Sequence, residues 1–155
     1  MSNSMPTAII TGASRGIGRA LALLLAKNNF QLSLVARNKG ELKDLAAEIT
    51  EIGHRPFYFD GDVSDEAFVS LAVEKTVHTF GLIDFVINNA GIGAFGPTES
   101  YNAAQWDQVF DTNVKGTFLF CQKALPHLKS AKKGHLITIA SDVAKRVFDG
   151  GSLYC

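Results

Sequence analysis

Thr11 to Gly18, TGASRGIG, places three glycines within eight residues, directly after the apolar run Ala8, Ile9, Ile10. Residues of this type at this spacing suit the binding of a phosphate or pyrophosphate by bare backbone, because glycine lets the chain approach the anion and leaves N–H groups free to point at it. The candidate cradle comprises Gly12, Ser14, Arg15, Gly16, Ile17 and Gly18. On spacing alone the same glycines also suit a tight turn that serves geometry only, so the surrounding elements have to decide. Two guanidiniums lie where they would matter to such a ligand. Arg15 sits inside the glycine stretch, and Arg37 in VARN sits about twenty positions beyond it, where an acidic residue would bind the ribose hydroxyl of NAD and an arginine the 2′-phosphate of NADP. A planar, permanently charged fork suits a phosphate. Solvated surface arginines are the ordinary alternative. With two arginines at these positions and no acid competing there, NADP is expected over NAD.

The elements that must position these residues are legible as an alternation of strands and helices. Strands are expected at Thr7–Thr11, Gln31–Ala36, Arg55–Asp60, Phe85–Asn88 and His135–Ala140. Between them run helices at Arg15–Asn28, with Ile17, Leu21, Leu24 and Leu25 along one face, then Glu41–Ile52, Asp65–Phe80 with a cap around Ser64, and a long helix over Ala103–Ser130. Gly53, Gly81 and Gly134 fall between elements. Such alternation predicts an α/β fold, a doubly wound parallel sheet with helices on both faces, as one domain over residues 1–155. Its first strand-to-helix turn brings a helix N-terminus to the carboxyl end of the sheet, which moves the glycines from plain turn to anion site.

The spacing TGxxxGxG resembles the short-chain dehydrogenase/reductase family, and further matches follow in that family's order. Asp62-Val63 comes after the third strand, Asn88-Asn89-Ala90-Gly91 after the fourth, Asn113 in the long helix, Ser141 after the fifth strand and Tyr154 thirteen positions on. They span essentially the whole chain, and their joint order is far more specific than any one of them. The resemblance implies an NAD(P)-binding Rossmann fold with Asp62 on the adenine amino group, Val63 in backbone contact with the same ring, and Asn89, Ala90 and Gly91 lining the cofactor pocket while tying the sheet together. A capping aspartate is the plain alternative for Asp62. It also implies hydride transfer between nicotinamide and a small-molecule carbonyl or secondary alcohol, with Tyr154 as general acid or base, Ser141 holding the carbonyl oxygen and Asn113 holding a water in the proton relay. Asn113 also reads as a satisfied core amide, since its place in the helix turns it partly toward the packed side, where a polar group must be hydrogen-bonded.

NNAGIGAFG, NVKGTF and SLYC are similar to the branch containing bacterial sepiapterin reductase-like enzymes, and 3-oxoacyl carrier reductases share most of the same frame. The family further carries a lysine four residues after the tyrosine, whose charge lowers the phenol pKa and whose amine binds the nicotinamide ribose. The sequence stops at Cys155. It is therefore expected to be the N-terminal portion of a longer enzyme or a truncated product, inactive by itself and lacking a sixth strand, with a homodimer or homotetramer implied for the full length. A dinucleotide-binding module without turnover is the alternative, favoured by the absent lysine and opposed by Ser141 and Tyr154.

Composition excludes other classes. The chain has 155 residues, 46% of them hydrophobic, enough for a core of one domain. Fifteen acidic residues balance fifteen basic ones without long single-sign runs, so no nucleic-acid or anionic-membrane footprint is expected. No signal peptide and no apolar run of membrane-spanning length is read from the sequence. Cys121 and Cys155 form no CxxC pair or disulfide framework, which points to a reducing, cytoplasmic home. His54, His78, His127 and His135 lack ligand spacing, so no metal is expected.

Overall fold

The computed structural model describes residues 5–131, 133–146 and 148–154; Cys155, and with it the sequence reading of that cysteine, lies outside the described residues. Five strands form one parallel sheet in the order β3-β2-β1-β4-β5: β1 (Thr7–Thr11), β2 (Gln31–Ala36), β3 (Phe57–Asp60), β4 (Phe85–Asn88) and β5 (His135–Thr138). Helices α1 (Gly16–Lys27), α2 (Lys39–Glu51), α3 (Glu66–Phe80), α4 (Ala103–Phe110) and α5 (Gly116–Ser130) complete the alternation. Among the described residues no helix is long and apolar enough to cross a membrane.

Successive side chains on the inner strands point to opposite faces, and each face has its own core. Ala8 and Ile10 of β1 join Leu32 and Leu34 of β2 under α1 and α2, where Ala22, Ala26, Leu42, Leu45 and Ile49 close the layer. Ile9 and Val35 face the other way, onto Val69 and Val73 of α3 and Leu119, Phe120 and Ala124 of α5. Both faces being covered explains why β1 and β2 read as nearly continuous apolar runs. The exception, Ser33, is buried with Thr76, whose hydroxyl donates to it at 2.7 Å.

Four local expectations change. The face that α1 lays on the sheet is Gly18, Ala22 and Ala26, while Ile17 and Leu24 are 64% and 56% exposed. Small residues let the helix axis come close to the strands, and in α1 that closeness outweighs the pull of the larger apolar side chains. Helix α3 is capped by Asp65 rather than Ser64: its carboxylate accepts from the Ala67 and Phe68 amides. The long helix is continuous but not uniform, since Asp111–Lys115 forms a π-type turn between α4 and α5. Both outer strands are shorter than predicted, and β5 is exposed along its whole length, at the sheet edge.

Candidate functional site

The sheet order reverses between β2 and β4, which flank β1 on either side, and ligands of such sheets bind at that switch, beyond the carboxyl ends of the strands. A cavity of about 530 Å3 lies there. From the β1–α1 turn it is lined by Gly12, Ser14, Arg15, Gly16 and Ile17; from the ends of β2 and β3 come Arg37, Asp62 and Val63; from the end of β4 come Asn89, Ala90 and Gly91. Four loops far apart in sequence thus deliver eleven of the twelve cofactor candidates to one wall. Gly18 is the twelfth, and it works beneath the cavity: a Cβ there would lie 2.6 Å from the Asn89 amide nitrogen and clash with the Gly12 carbonyl. Gly12, at φ +63°, leaves no room for a Cβ either, with the Ala90 Cα at 2.9 Å.

What suits this wall to an anion is the N-terminal end of α1. Helices α2, α3 and α4 each receive a side-chain cap, from Asn38, Asp65 and Asn102 respectively. Helix α1 begins at Arg15 with no side-chain cap and no acid in its first turn. Its leading amides therefore keep their donors and the positive end of the helix dipole for a ligand.

The Thr11 hydroxyl, which the sequence reading passed over, accepts from the amides of Asn89 (3.0 Å) and Ala90 (2.9 Å). In return the Asn89 side-chain amide donates to the carbonyls of Thr11 (3.0 Å) and Gly12 (3.2 Å). The two walls are thereby locked together. Val63 is buried with its side chain against Gly116, where a Cβ would come within 2.6 Å of it.

The arginines differ in their pairing. Arg19 is bound to Glu48 and Lys39 to Asp60 at 3.2 Å, whereas among the described residues no carboxylate lies within ion-pair distance of Arg15 or Arg37. Both unpaired guanidiniums line the cavity. Glu41, which was not anticipated, also lines it. Asp62 accepts at one carboxylate oxygen from the Ser64 amide (2.9 Å) and hydroxyl (2.8 Å). Those bonds, with the charges of Arg37 and Lys115 nearby, hold its carboxyl below the usual range against an opposing desolvation. It is both a turn-forming aspartate and an ionised acceptor at the cavity wall.

The three catalytic candidates lie elsewhere. Asn113 stands in the π-type turn and is paired on both sides with one residue: its amide oxygen accepts from Ile92 N (2.8 Å) and its amide nitrogen donates to Ile92 O (2.9 Å). One N–H and one lone pair remain over. Ser141 Oγ accepts from Val143 N at 3.4 Å at the start of a short 3-10 turn, Asp142–Lys145. The Tyr154 ring is half-buried with its edge against Phe95, centroids 5.5 Å apart. None of the three lines the 530 Å3 cavity, and among the described residues no hydrogen bond joins Ser141 to Tyr154.

The residues present fit a dinucleotide, on the uncapped helix end, the glycine cradle and the unpaired arginines. Comparison with known proteins agrees on the fold. The structure superposes on an alcohol dehydrogenase of Thermococcus sibiricus complexed with 5-hydroxy-NADP, with TM-score 0.92 and 35% identity over 97% of this chain and 64% of that one. It also matches a short chain dehydrogenase of Burkholderia cenocepacia J2315 in complex with NADP, with TM-score 0.90 and 31% identity over 96% of this chain and 61% of that one. In sequence it is 36% identical over 138 residues to the 3-oxoacyl-[acyl-carrier-protein] reductase FabG of Staphylococcus aureus (strain Mu50), covering 88% of this chain and 56% of the relative. The chain thus spans somewhat over half the length of the relatives it matches. The short chain dehydrogenase family model matches residues 6–155, and the chain belongs to that family of oxidoreductases.

Proposed function

We propose that this chain is the cofactor-binding portion of an NADP-dependent oxidoreductase that interconverts a small carbonyl compound and a secondary alcohol, with Tyr154 as general acid and base. The observation that carries the reading is the convergence of residues from four loops on one cavity below the uncapped end of α1, with two unpaired arginines on its wall. The amides of the β1–α1 turn bind the pyrophosphate, Arg37 and Arg15 the 2′-phosphate, and Asp62 the adenine amino group. When bound, the cofactor supplies the hydride that reaches the carbonyl carbon. Ser141 holds the carbonyl oxygen, and Tyr154 gives that oxygen its proton, or takes it back in the oxidation. An unperturbed phenol titrates near pH ~10, so the proton exchange at neutrality requires a neighbouring positive charge. Asn113 anchors Ile92 with most of its side chain and has one donor and one acceptor left for a relay water.

The test measures binding and turnover of the purified enzyme separately. NADPH should bind at least tenfold tighter than NADH, about 1.4 kcal/mol, and Arg37→Asp should abolish that preference. Tyr154→Phe should lower ketone reduction by ~100-fold or more while NADPH affinity stays within twofold. Tight NADPH binding without any ketone reduction would instead identify a dinucleotide-binding module.

A further inference from the structure

Tyr154 does not lie on the sheet or on a long helix, so its position depends on what holds residues 148–154. Among the described residues, every hydrogen bond from that segment to the rest of the chain lands on one loop, the one that follows β4. Gly96 N donates to Gly150 O at 2.8 Å. The Tyr101 hydroxyl donates to the same carbonyl at 2.7 Å and also lies 3.1 Å from Ala94 O. The Thr98 and Ser152 hydroxyls are 2.8 Å apart, but that pair is exposed and water can replace it. Gly150 has φ +72°, and a Cβ on it would come within 3.2 Å of Gly96 N, so its carbonyl is presented to the loop in a conformation that favours glycine. Phe95 of the loop packs edge-on against both Phe148 and Tyr154.

The other end of the loop belongs to the cofactor site. Gly91 and Ile92 line the cavity, and Asn113 grips Ile92 from both sides. The loop is therefore a bridge with one foot on the cofactor wall and the other under Tyr154. Tyr101 is its keystone, because a single hydroxyl touches a carbonyl on each side of the gap. That hydroxyl has one proton, and the shorter contact is to Gly150, so its removal frees the tyrosine segment more than it frees the loop.

We propose that Tyr101 is a positioning residue for proton transfer: through Gly150 it fixes the distance between Tyr154 and the cofactor wall. The proposal rests on the reading of Tyr154 as the acid. Its physical basis is that displacement of a reacting group by about 1 Å can cost ~100-fold in rate while leaving binding intact.

The experiment removes the hydroxyl alone, with Tyr101→Phe in the purified enzyme. Turnover with a ketone should fall tenfold or more, while NADPH affinity stays within twofold. Added to Tyr154→Phe, the same change should cost less than a further twofold, since a residue that acts through Tyr154 has nothing left to position. Turnover of Tyr101→Phe within twofold of the parent overturns the proposal, and so does a full tenfold loss repeated on the Tyr154→Phe background. If Tyr101→Phe does not fold, Gly150→Ala, which displaces the same carbonyl from its other side, is held to the same criteria. The Tyr154→Phe single variant separates the two claims: near-parental turnover there removes the reading of Tyr154, whereas a large loss there with none in Tyr101→Phe removes only the role of Tyr101.

Discussion

The cofactor-candidate wall and the segment that carries Tyr154 are built on different principles. The cofactor wall is local and rigid: the glycine turn, the start of α1 and the Asn89–Thr11 ladder are fixed by neighbouring strands of the sheet, and the start of α1 takes no side-chain cap. The tyrosine wall is remote, a short segment pinned by long-range contacts from the β4 loop, whose Tyr101 hydroxyl and Gly96 amide donate to the Gly150 carbonyl. On the proposed reading, binding would belong to a preformed site, and chemistry to a site whose geometry is carried by a few replaceable bonds.

The sharpest way to break the cofactor wall is Gly18→Val. A side chain at this position meets the Gly12 carbonyl and the Asn89 amide at once, both held by backbone, so neither can move aside cheaply. We expect a loss of about 2–3 kcal/mol in urea unfolding and no measurable NADPH binding. Full-strength binding by a folded Gly18→Val protein would mean that close contact between α1 and the β4 loop is not what shapes the cradle.

Arg15→Asp tests the unused donors. An aspartate at the start of α1 would cap the helix as Asp65 caps α3, raising the stability of the ligand-free protein by about 0.5–1 kcal/mol, a few degrees in melting temperature. The same change places a negative charge where the proposed function puts a phosphate, so NADPH affinity should fall at least tenfold. Opposite shifts of melting temperature and affinity are the expected signature, and a loss of both would break the comparison of α1 with the capped helices.

The smallest effect concerns Asp62. Its carboxyl is held below the usual range, chiefly by the Ser64 amide, so it contributes stability that is complete above the ordinary carboxylate pKa and is lost as pH falls through its lowered value. Asp62→Asn should therefore destabilise slightly at pH 7 and have its effect shrink near pH 3, in paired denaturant titrations. Because the group is only half-buried, solvent screens part of the interaction and the difference is modest. An effect that grows on acidification would reverse the assigned sign.

Much of the cofactor wall could be read before the structure, because its residues act through short-range geometry. A glycine turn between strand and helix, Arg37 at the end of β2 and Asp62 at the end of β3 all have meanings fixed by their place in an alternating pattern. What escaped has a common cause. Thr11 looked like the last residue of a strand, and only the juxtaposition of β1 and β4 gives its hydroxyl two amides to accept. Glu41 looked like part of a helix start, and only the path of α2 brings it to the cavity. The face of α1 was misread because periodicity ranks residues by size and hydrophobicity, whereas the sheet selected Gly18, Ala22 and Ala26 for closeness. Asn113 carried two readings, and the structure supplies the partner that the core reading required, Ile92.

By itself, then, the sequence determined the order of strands and helices, the parallel sheet and the place of the glycine turn, because hydrophobic period, glycine spacing and connection handedness act over a few residues each. Only the tertiary structure decided which helix face is buried, that α1, unlike α2, α3 and α4, starts without a side-chain cap, and that Tyr101 of the loop after β4 reaches the Gly150 carbonyl near Tyr154. The last of these depends on atoms 49 residues apart meeting at hydrogen-bond distance, and no local preference in the chain specifies such a meeting.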